Sequence, residues 1–331
     1  MNIKWPTKKR LQSVLGLSLT DGQIRACLVS RAKGQAEVIK TCHAALSLDV
    51  LHPETELVGR EIKNHLDAAG IRERHCIVAV PPRWLMSLRT KVPELSAEDV
   101  TSFLQIEAEK GFPIDPAQLL IVRSFHRSAA GAYVTQLAVR REQLDHLANT
   151  LKAAGLKPVS FSLGLSVLPE VSTATGAGRI SVAVEPAGVT LVVTAGGGIA
   201  AFRTCEASIE SEAGEKIVNG GAVARELRIT FEQVPVELRS TLQQLLLIGE
   251  PTMVRQLTES LAEWARAAGL TITPSDSLDK PLAEEIAERL ARRWLEAGAV
   301  ELEFLPPRLA ADCHPRQSAL TRRSRVCLRR G

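Results

Sequence analysis

The sequence predicts a two-lobed α/β protein. At 331 residues the chain is long enough for about two domains with their own cores. Aromatic residues make up only 4%, so Leu, Val, Ala and Ile must fill those cores, as they do in sheets covered by helices. Each half opens with hairpin-like strands and continues into helix and strand, so the pattern is repeated.

In the first half, strands are predicted over 14–19 and 25–29, joined by a turn at Thr20-Asp21-Gly22, with a third over 37–48. Residues 56–69 read as an amphipathic helix with Leu57, Ile62 and Leu66 near one face and Gly70 at its end. One strand then ends at Pro81 and another runs over 85–92. Ser96 opens a helix with Glu98 and Asp99 in its first turn, closed at Gly111 before Pro113. Phe103, Leu104 and Ile106 are expected to pack that helix on the two strands. Strands over 119–126 and 132–139, a helix over 141–154 stopped by Gly155, and a strand over 157–162 complete this half. A Ser, Thr, Gly and Ala-rich loop over 172–178 separates the halves. The second half has strands over 180–185, 189–194 and 199–203, a polar stretch and a helix over 221–232. A further helix follows Pro235, then a strand over 244–248 and a long helix over 281–297 ended by Gly298.

Charge and composition exclude several functions. The net charge is +4, but residues 316–331 hold six arginines and no acid, leaving the other 315 residues with 35 bases against 37 acids. A slightly acidic body argues against a nucleic-acid binder, which needs basic groups on a folded face. The best apolar run, 189–202, is shorter than the roughly 18 residues a membrane helix needs and is broken by Gly196, Gly197 and Gly198. No apolar stretch follows the basic start, so a cytoplasmic location is expected. Six scattered cysteines contain no Cys-x-x-Cys, and the seven histidines show no metal-ligand spacing; no metal and no catalytic residue is expected.

Residues 77–116 carry the most information. Their order of strand, Pro81-Pro82, strand, capped helix and Glu107-Ala108-Glu109-Lys110-Gly111-Phe112-Pro113-Ile114 resembles the insertion subdomain of the PilM family and of the related cytoplasmic part of GspL. Both are actin-like proteins of bacterial type IV pilus and type II secretion machines. The resemblance implies a two-lobed actin-like (ribonuclease H-like) ATPase fold with an inserted small α+β subdomain. It implies lobe I from 12–76 with 157–177 and 274–299, the insertion over 77–156, and lobe II over 178–273. A basic segment over 1–11, a partner-like peptide over 300–309 and a basic tail over 310–331 flank them.

The resemblance also locates degenerate nucleotide loops. Where the family has Gly-Leu-Asp-Ile-Gly-Ser and a later Lys, this chain has Ser18 at the Asp, Thr20 at the Gly, then Asp21, and Arg25 at the Lys. Neutral Ser18 supplies no charge to a hard divalent ion. The second phosphate loop corresponds to Glu185-Pro186-Ala187-Gly188, in which Pro186 removes a donor. At the adenine-side Gly-Gly stand Gly249 and Glu250, a carboxylate that would repel phosphates. Gly22 and Gly188 also read simply as turn residues. Together these positions imply a pseudo-ATPase with no cofactor. The alternative is an active ATP-binding PilM-type protein whose motifs have drifted, with ATP and magnesium bound. A sugar kinase of the same fold needs an Asp general base that no motif places.

PilM proteins bind an extended Ile-Asn-Leu-Leu-Pro-like segment of PilN. Leu302-Glu303-Phe304-Leu305-Pro306 has the same form, with alternating anchors over Val300, Leu302 and Phe304 or Leu305. It reads as a partner-like peptide in the chain's own groove, or as an ordinary last strand. The tail arginines Arg322, Arg323, Arg325, Arg329 and Arg330 suit an anionic membrane surface. Implied partners are PilN/PilO-like or GspM/GspE-like platform proteins, with self-association open and the location peripheral to the inner membrane.

Overall fold

A computed structural model describes residues 11–20, 22–32, 34–171, 178–212, 215–275 and 280–304. β1 (Ser13–Thr20), β2 (Gln23–Ala32) and β3 (Gln35–Ala45) form an antiparallel meander. α1 (Thr55–Ala68) leads to β4 (His75–Val80), parallel to β1. β5 (Met86–Val92), α2 (Ala97–Gly111), β6 (Leu119–Ser128) and β7 (Gly131–Arg140) follow. α3 (Arg141–Ala153) returns the chain to β8 (Lys157–Leu163), parallel to β4. Lobe I is thus a sheet of order β3-β2-β1-β4-β8.

The second half repeats the plan. β9 (Gly178–Glu185), β10 (Gly188–Ala195) and β11 (Gly198–Cys205) form a meander, and a hairpin of β12 (Ile209–Glu212) and β13 (Glu215–Val218) follows. Next come α4 (Gly220–Gln233), α5 (Val236–Arg239), β14 (Leu242–Gly249), α6 (Pro251–Ala267) and β15 (Thr271–Pro274). The sheet order, β11-β10-β9-β14-β15, is that of lobe I position for position. α7 (Leu282–Ala297) then crosses back to lobe I, where Ile286, Leu290, Ala291 and Leu295 join the core of β1 and β4. At Gly16 a Cβ would strike the Ala287 carbonyl, so the α7 backbone rests directly on β1.

The insertion is smaller than 77–156. β4 pairs with both β1 and β8, and α3 packs on α1, so both belong to lobe I. What protrudes is the sheet β5-β7-β6 with α2 on one face. Ser96 caps α2 as expected, its Oγ accepting the Asp99 N–H at 3.2 Å. Leu104 and Ala108 are buried and Phe103 half-buried, whereas Ile106 is 49% exposed. The i, i+4 pair Leu104–Ala108 sets the phase and turns Ile106 away from the sheet. In α1, likewise, Val58, Gly59, Ile62 and Leu66 face inward and Leu57 does not.

The insertion also grips lobe II. Arg127 N–H donates to the Gly196 carbonyl (2.9 Å), Ile199 N–H to Ser124 Oγ (2.8 Å), and Ser87 Oγ to the Phe202 carbonyl (2.7 Å). A Cβ at Gly196 would meet the Arg127 backbone, and one at Gly198 the Phe125 carbonyl. The glycines that interrupt an apolar run are therefore a seat for β6. Beside this seat His126 is buried and stacked on Tyr133, with centroids 5.6 Å apart. Burial pushes the His126 pKa down to about 4; the Ser124 backbone partly offsets this and Arg89 adds to it.

Two outcomes follow. Leu104→Ala should cost about 2–5 kcal/mol in denaturant unfolding, while Ile106→Ala should stay within about 0.5 kcal/mol. The unfolded chain takes up the His126 proton near pH 6.5 and the folded chain only near 4, so stability present above 6.5 is lost as pH falls towards 4. His126→Asn should remove roughly 1–3 kcal/mol of the fall in stability across that window, read by thermal melts at stepped pH.

Candidate functional site

A cleft of about 350 Å³ lies where the ends of β1 and β9 face each other. Thr20 lines it from lobe I with Pro81, Pro82 and Arg83, and Glu185, Ala187 and Gly188 line it from lobe II. The structure thus brings together three of the predicted positions, Thr20, Glu185 and Gly188. Asp21 lies outside the described residues.

The others stand apart. Ser18 is 2% exposed, opposite Arg25 on β2 and Ala79 on β4, and does not line the cleft. Half-buried Arg25 donates to Gln23 Oε1 at 3.1 Å. Gly249, opposite Val184, leaves no room for a Cβ beside the Val184 carbonyl. Glu250 caps α6, its Oε2 accepting the Met253 N–H at 3.0 Å. Against partial desolvation, donors from Thr252 and Met253 hold the Glu250 carboxyl below the usual carboxylate range. Gly249 lines a separate hollow of about 480 Å³ with Pro251, Val254, Arg255 and Pro274.

The lobe II wall is made by turn chemistry. Glu185 and Gly188 pair across a two-residue turn of Pro186 and Ala187. Pro186 has no N–H. The Val189 N–H is donated to buried Ser208 Oγ (3.0 Å), which itself donates to the Cys205 carbonyl (2.8 Å). Ala207, beside it, holds a left-handed φ of 50°. On the other wall Arg83 approaches Asp49 at 3.8 Å. Sequence reasoning missed Ser208, Ala207 and Arg83; a Ser closing a strand-end turn is the only trace Ser208 leaves.

The four described thiols are shifted away from the thiolate form. Burial pushes Cys27 and Cys205 up to about 12, and raises Cys42 and Cys76 as well. Among the described residues no group of three or more His, Cys, Asp or Glu has the geometry of a metal site. Likewise no described helix is long and apolar enough to cross a membrane.

A second feature lies at the edge of the lobe I sheet. Glu303 forms an antiparallel bridge with Ser162, and Phe304 N–H donates to the Phe161 carbonyl at 2.7 Å. Ser162 Oγ donates to the Glu301 carbonyl (2.7 Å). Phe304 is 1% exposed and belongs to the lobe I core, with Val300 buried beside it. The segment is not extended throughout: Leu302 takes φ 53°, a left-handed bend, so the even alternation predicted from Val300 to Phe304 is broken. Leu305, Pro306 and Arg322, Arg323, Arg325, Arg329 and Arg330 lie outside the described residues.

No family model matches this chain, and no curated protein matches it. Solved structures do. A PilM–PilN type IV pilus biogenesis complex aligns at TM-score 0.59 and 18% identity, over 86% of this chain and 96% of that one. The cytoplasmic domain of EpsL, an inner membrane component of the type II secretion system of Vibrio cholerae, aligns at 0.50 and 12%, over 84% and 94%. The chain has the two-lobed actin-like fold with an inserted subdomain, and in fold it is PilM- and GspL-like.

Proposed function

We propose that the chain is a catalytically silent, actin-like scaffold of a type IV pilus or type II secretion assembly platform that binds an extended segment of a PilN-like partner. The observation that carries this reading is the seat of residues 300–304 on the edge of β8, where backbone pairing and a buried Phe304 supply what a strand-adding peptide needs. The fold likeness to a PilM–PilN complex supports it. Residues 300–307 act on this reading as the chain's own copy of a partner segment. PilN/PilO-like or GspM/GspE-like proteins are the partners to test.

Silence at the cleft is supported by its chemistry. Magnesium-bound nucleotide needs anionic oxygen and free N–H donors. Ser18 is neutral and buried, Pro186 donates nothing, and the Val189 N–H is already given to Ser208. The cleft between the lobes favours the second reading, an ATP-binding protein with drifted motifs.

Calorimetric titration separates the two: silence requires no Mg-ATP affinity tighter than about 1 mM, roughly 4 kcal/mol. Micromolar binding would establish the second reading. The peptide seat is tested separately. A peptide of residues 300–309 should bind a chain lacking residues 300–331 and not the full chain, because the tethered copy competes at an effective concentration of order millimolar. Phe304→Asp should open the seat in the full chain, since a carboxylate in the core is left without partners. Equal peptide binding by all three chains would refute an internal ligand.

A further inference from the structure

The end of lobe I away from the cleft gathers positive charge. A shallow hollow of about 470 Å³ there is lined by Ser13, Lys40, Gly70, Arg72, Arg74 and His75 around Glu73. The Glu73 carboxylate accepts from Ser13 Oγ and from the N–H groups of Arg74 and His75 (2.9 Å each). These donors outweigh its desolvation and hold its pKa below the ordinary value. Lys40 Nζ donates to the Gly70 carbonyl at 2.7 Å, a neutral partner. Lys157 adjoins them, its N–H donating to the Arg74 carbonyl at 2.6 Å. Lys40, Arg72, Arg74 and Lys157 are all exposed, and among the described residues none forms an ion pair. Glu73 within the hollow is the counter-charge there, and Asp67, at the close of α1, lies nearby with its carbonyl accepting the Gly70 N–H.

The described chain begins at this end. Leu11 precedes β1, whose first residue, Ser13, touches the hollow. The 302–304 segment runs antiparallel to β8 and so heads from Phe161 towards Lys157, a further four residues or about 13 Å of strand. Residues 1–10 carry four bases and no acid; residues 305–331 carry seven arginines and one acid. That leaves residues 11–304 with 30 bases against 36 acids. An acidic body with a cluster of unpaired cations at one end is polarised towards an anionic plane.

We propose that this end of lobe I docks on an anionic lipid surface, with Lys40, Arg72, Arg74 and Lys157 facing the headgroup phosphates. The inference does not rest on the partner reading, since vesicle binding needs neither partner nor nucleotide. The full chain should float with phosphatidylglycerol vesicles, not with phosphatidylcholine vesicles, and should be released by salt. Each basic group near such a leaflet contributes about fivefold to binding, so Arg72→Gln, Arg74→Gln and Lys157→Gln together should weaken it at least tenfold with both basic segments intact. The control, Arg228→Gln, Arg255→Gln and Arg266→Gln on the lobe II helices, should bind as the parent does, and unchanged melting curves verify that both variants fold. Four results would overturn the proposal: no flotation, equal binding to neutral vesicles, equal loss in the control, or tighter binding to duplex DNA than to the anionic vesicles.

Discussion

The close seating of α7 on β1 is the contact on which lobe I depends. Gly16 presents no side chain, so the helix backbone at Ala287 settles against the strand, and Ile286, Leu290 and Leu295 reach the core on either side. Because α7 arrives only after the whole of lobe II, lobe I cannot be completed until the chain has crossed the cleft twice. The helix is fixed in register by charge as well as by packing. Lys280 pairs with Glu285 and Glu288, Arg289 with Glu285 and Arg292 with Glu288; Arg292 also donates to the Ala36 carbonyl and Arg31 to that of Leu295. Against desolvation, these partners raise the Lys280 pKa and lower that of Glu288. Gly298, at φ 73°, then ends the helix and turns the chain to the β8 edge. The position of Phe304 is thus set by the packing at Gly16.

The duplicated architecture was legible because its strands are continuous apolar runs separated by turn residues, as in Ile180–Glu185 and Val189–Thr194 across Pro186-Ala187. The α2 cap was legible because Ser96 and Asp99 interact locally. α6 and β15 went unread, and so did the β12–β13 hairpin, whose polar residues give no apolar alternation. The insertion boundary was misread because 77–80 and 141–153 belong to lobe I through pairings distant in sequence, β4 with β8 and α3 with α1. Helix phase failed at Ile106 and Leu57, where an apolar residue sits beside, not on, the buried stripe.

At the site, motif position and spatial position parted. Thr20 and Glu185 meet across the cleft because they end the first strands of the two repeats, and Gly188 joins them because it opens the strand paired with Glu185, a consequence of topology. Ser18 and Arg25, two to five residues away, pair across β1 and β2 and so leave the cleft lining. Glu250 read as a charge against phosphate, but its local role is to satisfy N–H groups at the start of α6. Ser208 left only a turn signal because, of its two hydrogen bonds, the one to Cys205 is local and the one from Val189 forms only on folding.

Edges decide what such a molecule can recruit. A sheet edge left bare offers its N–H and C=O groups to any extended chain. In lobe II the β11 edge is occupied by the insertion through Arg127, Ser124 and Ser87, at glycines that admit no side chain. That edge is closed as part of the fold. In lobe I, among the described residues, the β8 edge is met by residues 301–304, through one bridge, three backbone and side-chain hydrogen bonds to 161–163, and one buried ring. The same few residues complete the lobe I core, and it is there that the proposed exchange with a partner strand would act.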